Sequence, residues 1–150
     1  MGTHHQGPAA ERRILNLYIK WMRATSVLEA RVASWMAAEQ ITTAQFAVLE
    51  ALWHLGPLCQ GELGDKMLRS GGSVTSVVDR LEKKGWVQRQ RSEQDRRVVL
   101  VALTGAGKRR IRNLFPAHVA DLRQAFQGLT PAEQEQMARL CKKLGLSLAT

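Results

Sequence analysis

Apolar residues recur at steps of three and four from Ile14 through Leu17, Tyr18, Trp21, Leu28 and Val32 to Trp35, with Thr25 in the same stripe, and predict a long helix over residues 11–40. A helix of roughly 28 residues spans about 40 Å, more than one small core needs, so part of its apolar face is expected to meet another subunit. A second helix is expected from Thr42 or Thr43, where Thr42 and Gln45 have capping-box spacing, with Phe46, Leu49, Leu52 and Trp53 turned inward. Gly56-Pro57 ends it. Leu58 is placed in a short strand, and Cys59–Leu68 in a brief third helix burying Leu63, Met67 and Leu68, before a turn at Arg69–Gly72. The glycines at 61 and 64 within that third helix each cost roughly 0.5–1 kcal/mol relative to alanine, so it is expected to be soft.

The next stretch organises the rest. Val74, Val77, Val78 and Leu81 form an i, i+3, i+4, i+7 stripe, with Ser73 suited to the N-cap and Gly85 to the stop. Val87–Arg91 and Val98–Leu103 alternate well enough to pair around the polar turn at residues 92–97. Thr104 is expected to cap a long fifth helix running to about Gln127 and bent at Pro116. Pro131 opens a last helix carrying Leu140, Leu144 and Leu148. Helix, turn, helix and ribbon make a winged helix-turn-helix over residues 41–103. The flanking helices, 11–40 and 104–150, form a helical dimerisation region, and residues 1–10 read as a flexible leader. The fold class is therefore mainly α with a small β-wing (α+β).

The face of the Val74 helix opposite its apolar stripe carries Ser76, Asp79 and Lys83, flanked by Thr75 and Arg80. A helix with a dry back and a small polar front fits a DNA major groove. Charge sharpens this picture. Of the formal net charge of +9, all the excess lies between Lys66 and Arg112, where thirteen Lys or Arg face four acids; the other 103 residues are balanced. Such a footprint belongs to a polyanion-binding surface. Arg96 and Arg97 at the hairpin tip are placed to reach a narrow minor groove, where the negative potential is enhanced, and Asp95 to hold an arginine there through a bidentate pair.

Composition excludes several alternatives. With 150 residues, 45% hydrophobic and 23% charged, the chain can build one globular core. It has no run resembling a membrane span and no apolar signal-peptide core at its start, so a cytoplasmic location is expected. Its two cysteines, Cys59 and Cys141, stand too far apart for a disulfide framework or a zinc pattern. His4 and His5 lie in the leader, and His54 and His118 lack an evident acidic or thiol neighbour in sequence. With no phosphate loop or nucleophile elbow either, no enzymatic activity, metal or cofactor is expected. Two other readings remain. A thiol at a helix start, Cys59, is the candidate for a redox-sensing regulator, and a winged helix can serve protein contact without DNA. A steep salt dependence of binding separates the DNA reading from the latter.

The run from Phe46 to Arg110 resembles the MarR family of transcriptional regulators, through QFAVLEALWHLGPL, GELGDKML, GGSVTSVVDRLEKKGWVQR, DRR and LTGAGKR, and the resemblance extends through FPAH and LCKKLG. It implies a homodimer, with the first and last helices forming the dimer region, that binds a pseudo-palindromic double-stranded DNA operator, most simply as a repressor. By the same resemblance Ser73, Thr75 and Ser76 approach bases and phosphates, Arg97 is the wing arginine of the minor groove, and Asp95 is its anchor. It further implies a pocket for a small phenolic or other aromatic effector between the dimer helices and the winged domain, for which Trp21, Met22, Trp53, His54 and Phe115 are candidates. The chain departs from the pattern at Cys59, where relatives often carry Thr or Ser. It also lacks the cysteine near the start of the first helix through which some relatives sense oxidants.

Overall fold

The computed structural model describes residues 2–67 and 73–149. Among the described residues six helices and three strands follow in the order α1 (Ala9–Ala38), α2 (Thr43–Leu55), β1 (Leu58–Cys59), α3 (Gln60–Lys66), α4 (Val74–Lys83), β2 (Val87–Arg91), β3 (Val99–Leu103), α5 (Gly105–Ala125) and α6 (Pro131–Leu148). The expected turn at Arg69–Gly72 and the inward-facing Leu68 lie outside the described residues. The chain divides into two compact units, one ending at Ile111 and the other starting at Arg112.

In the first unit α2 is the central element. The Thr42–Gln45 capping box forms as expected: Thr42 Oγ1 accepts from the Gln45 N–H and Gln45 Oε1 from the Thr42 N–H. The helix then buries Phe46, Val48, Leu49 and Leu52 almost completely. Trp53 is only half-buried, contrary to expectation. The inward face of α2 is instead broadened by Val48, because α1, α3, α4 and β3 all pack on the helix. Leu63 of α3, Met67 just past its end, and Val77, Val78 and Leu81 of α4 complete this core. Three of the four residues of the apolar stripe read from spacing are thus the buried back of α4, and Val74 at its start is half-buried.

The strands form one antiparallel sheet in the order β1-β3-β2, with Leu58 opposite Val101 and Val87 opposite Leu103. Val98, assigned to the ribbon from its alternation, belongs to the wing turn. Its N–H donates to the Asp95 carbonyl and its carbonyl accepts from the Ser92 N–H, both at 2.9 Å, so pairing with β2 starts at Val99. Gly85 takes φ +70°, the left-handed conformation its stop role requires. Thr104 caps α5: its hydroxyl accepts from the Gly107 N–H at 3.0 Å and donates to the Gly85 carbonyl at 2.6 Å.

The end of α1 joins the end of α4. Gln40 is a non-glycine residue at φ 55°, and the Ile41 N–H returns to the Met36 carbonyl at 3.0 Å, a helix-closing turn that favours glycine. Lys84 Nζ donates to the Gln40 carbonyl at 3.0 Å, Arg110 to the Glu39 carbonyl, and both cations lie over the Trp86 ring. Gln40→Gly is expected to stabilise the fold by about 0.5–1 kcal/mol through relief of the left-handed strain, measured as a raised denaturant midpoint. An unchanged or lowered midpoint would show that the Gln40 side chain offsets that strain.

Residues 3–12 include backbone and side-chain bonds that turn the start of the chain back on α1, among them Thr3 N–H to Asn16 Oδ1 at 2.7 Å and His5 Nε2 to Glu11 Oε2 at 2.7 Å. The second unit contains most of α5, with Pro116 inside it, and α6. Thr130 and Glu133 form a capping box at the start of α6, and Gln134 Nε2 donates to the Phe126 and Leu129 carbonyls, closing the α5–α6 turn. None of the described residues of α6 is buried. Among the described residues, no helix is long and apolar enough to cross a membrane.

Candidate DNA-reading surface

The polar front of α4 is built by elimination. With Val77, Val78 and Leu81 committed to the core, helical geometry turns Thr75, Arg80 and Lys83 outward, and all three are exposed; Ser76 is half-buried. Ser73 occupies the N-cap, yet its hydroxyl makes no capping hydrogen bond there. Thr75 Oγ1 accepts from Gln60 Nε2 at 3.2 Å. Gln60 was missed by sequence reasoning, because fifteen residues separate the pair and no local signal joins them.

At the wing tip Asp95 and Arg97 form the bidentate pair expected of them. Asp95 Oδ1 accepts from Arg97 Nε and Oδ2 from Arg97 Nη2, each at 3.2 Å, while the Arg97 N–H donates to Oδ1 at 3.0 Å. The Arg97 side chain is nonetheless 92% exposed, so the acid orients the guanidinium without hiding it. Ser92 anchors the turn from inside. It is 8% exposed, and its hydroxyl accepts from the Gln94 N–H and, at 3.4 Å, from the Asp95 N–H. Arg96 is also exposed, and its carbonyl is taken by Arg91 Nη1 at 2.7 Å.

The Arg97 side chain first, and its N–H second, hold the Asp95 carboxyl below its ordinary value. Because the folded value lies below the unfolded one, the pair's contribution is fully present above the unfolded value and is lost as pH falls through the folded one. A carbon-detected NMR titration of Asp95 should therefore give a midpoint below 3.8, with the wing intact at pH 5. A midpoint at or above that value would mean that the pair does not persist in solution.

Between α4 and the wing lies a second ion-pair cluster, absent from the sequence reading. Arg89 of β2 reaches Asp79 Oδ1 through Nη2 and Glu82 Oε2 through Nη1, both at 2.5 Å, and its backbone N–H donates to Glu82 Oε1 at 3.0 Å. The Asp79 hydrogen bond, followed by Glu82, raises the Arg89 pKa above its usual value.

The remaining candidates do not gather on this surface. Cys59 is half-buried at the N-cap of α3, where its N–H donates to Glu62 Oε2 at 2.8 Å. The Cys59 amide, and secondarily its thiol, hold the Glu62 carboxyl below its ordinary value. Trp21 and Met22 are exposed on α1, Trp53 is half-buried and His54 exposed on α2, and Phe115 is half-buried in the second unit. A cleft of about 620 Å³ between α5 and α6 is lined by Val119, Leu122, Phe126, Met137 and Cys141 among others, and by none of these five.

A three-stranded wing beside a helix whose exposed face is polar and basic is the architecture of the winged helix-turn-helix class, and similarity to known proteins places the chain among DNA-binding transcriptional regulators. Residues 41–99 match the MarR family model. The HTH-type transcriptional regulator YkoM of Bacillus subtilis is 34% identical over 134 residues, covering 89% of this chain and 87% of YkoM. The chain belongs to the MarR family. Similar solved structures include the following two. A mutant MarR from Escherichia coli complexed with operator DNA has a TM-score of 0.76 at 26% identity, over 88% of this chain and 95% of that one. BpsR of Bordetella bronchiseptica, whose DNA binding is regulated by 6-hydroxynicotinic acid, has a TM-score of 0.75 at 26% identity, over 86% and 98%.

Proposed function

We propose that the chain acts as a homodimeric repressor that occupies a pseudo-palindromic operator and is released by a small aromatic effector. The observation that carries the dimer is the uncovered apolar surface of the first and last helices. Ile14, Leu17, Tyr18 and Val27 of α1 are 60–71% exposed, and Leu140, Leu144, Leu146 and Leu148 of α6 are 47–76% exposed. Helices draw most of their stability from burying an apolar face, so a second copy covering both helices supplies what one chain lacks. Two-fold symmetry then sets the recognition helices one DNA turn apart, about 34 Å. In each half, Ser73, Thr75 and Ser76 approach base edges, Arg80 and Lys83 the phosphates, and Arg96 and Arg97 the adjacent minor groove with Asp95 as anchor.

The effector half of the proposal is supported by BpsR and its 6-hydroxynicotinic acid. An effector that binds better when the recognition helices are wrongly spaced shifts the population away from DNA. The candidate contacts remain Trp21, Met22, Trp53, His54 and Phe115.

The test is selection of a duplex from a random library by the purified protein, followed by sedimentation of the complex. Two chains per duplex on an inverted repeat, with affinity falling steeply as salt rises, is the expected outcome. A single chain on one half-site, or binding indifferent to salt, would refute the proposal. For the effector, small aromatic acids should release the selected duplex, and Trp21→Ala or Trp53→Ala should blunt that release; neither effect would leave the aromatic class without support.

A further inference from the structure

The exposed face of α4 carries two acids where a DNA-reading surface has most reason to avoid them. Asp79 follows Ser76 by three residues and Glu82 follows Thr75 by seven, so Asp79 borders the polar front and Glu82 stands on the flank that it shares with Thr75. Their side chains are 49% and 40% exposed. Like charges brought together across an interface cost several kcal/mol, so bare carboxylates beside a phosphate backbone would oppose binding. Arg89 meets both. One Nη reaches each acid at 2.5 Å, its own amide takes the second oxygen of Glu82, and its side chain is only 26% exposed. The guanidinium is thus spent inside the protein, and its rigid planar fork presents a separate nitrogen to each carboxylate.

We propose that Arg89 is a positioning residue for operator binding that acts through Asp79 and Glu82, masking their charge and turning them back toward β2 so that the front of α4 meets DNA without repulsion. The inference rests on the DNA-reading role of α4. Arg89 belongs to the basic excess of the sequence, yet on this account it makes no phosphate contact.

Charge removal on both sides of the cluster separates the two accounts. With the duplex selected by the wild-type protein as probe, Arg89→Met should lower affinity at least tenfold. Adding Asp79→Asn and Glu82→Gln to that variant should restore affinity to within about threefold of wild type, because no carboxylate is left to mask. Arg89→Lys, whose single ammonium has no fork, should fall between. If Arg89 instead touches phosphate, the triple variant stays as weak as Arg89→Met and the salt slope drops by about one unit; that result overturns the proposal, as does an Arg89→Met variant that binds like wild type. Circular-dichroism melting of each variant guards against misfolding. Should Arg89→Met not fold, Arg89→Lys with and without the two neutralised acids carries the same comparison. A wild-type protein that selects no duplex refutes the operator reading, whereas failed rescue refutes the masking role alone.

Discussion

Arg97→Ala is expected to weaken operator binding by more than tenfold in a mobility-shift titration. The side chain is almost wholly exposed, so truncation removes no packing and should leave the melting temperature nearly unchanged. What it removes is a cation that Asp95 holds in one orientation through two side-chain bonds. A flexible arginine would have to be ordered on binding; this one is ordered beforehand, and that saves up to about 1.5 kcal/mol of side-chain entropy. The loss should therefore exceed that of removing an untethered surface cation, and Asp95→Asn should reproduce part of it with the positive charge still present. Unchanged affinity for Arg97→Ala would remove the wing from the proposed interface.

Gly107→Ala should have the largest effect on stability. Alanine is ordinarily the better helix residue by about 1 kcal/mol, and Gly107 lies in the first turn of α5, so propensity alone predicts a gain. Sterics reverse the sign. A Cβ at this position would overlap the Trp86 carbonyl oxygen, which is fixed by the Thr104 N–H at 3.0 Å, and would also press on Leu103. The obstacle is backbone on the far side, with no flexible tip to move away. A loss of about 3 kcal/mol, at the upper end of overpacking costs, is expected in denaturant unfolding, and a stabilised variant would show that α5 is free to shift. The same clash explains why the sequence motif Leu103-Thr104-xx-Gly107 is a unit: Thr104 caps the helix and Gly107 lets it pass Trp86.

Features that depend on one element's own periodicity were legible from residue order. Val77, Val78 and Leu81 of the predicted stripe are the buried back of α4, with Val74 half-buried at its start, and the Thr42–Gln45 box caps α2. The Asp95–Arg97 pair was legible for the same reason, since two residues apart in a tight turn they have little else to reach. Contacts between elements were not legible. Gln60 with Thr75, Lys84 with Gln40 and Arg110 with Glu39 are 15, 44 and 71 residues apart. Arg89 was counted only as one of thirteen bases, because nothing local tells a phosphate-seeking arginine from one committed to two acids on a neighbouring helix. Trp53 was expected to be more buried than it is. Its spacing from Phe46 and Leu49 is that of a core residue, but Val48 and Gln45 fill the inward face of α2 instead.

The junction of α1 with α4 has a mechanical consequence. Lys84 and Arg110 bind the Gln40 and Glu39 carbonyls just past the end of α1 while lying over Trp86, so the C-terminal ends of the two helices share a fulcrum. The opposite end of α4, with Ser73, Thr75 and Ser76, is the tip of a lever arm about 15 Å long, at 1.5 Å per residue. A tilt of about 5° at the fulcrum moves that tip by about 1.3 Å. Such a displacement stretches a base contact from about 2.9 Å to beyond hydrogen-bond range, while the bonds at the pivot itself barely lengthen. The end of the helix proposed to touch DNA is thus the end most sensitive to a tilt originating in α1.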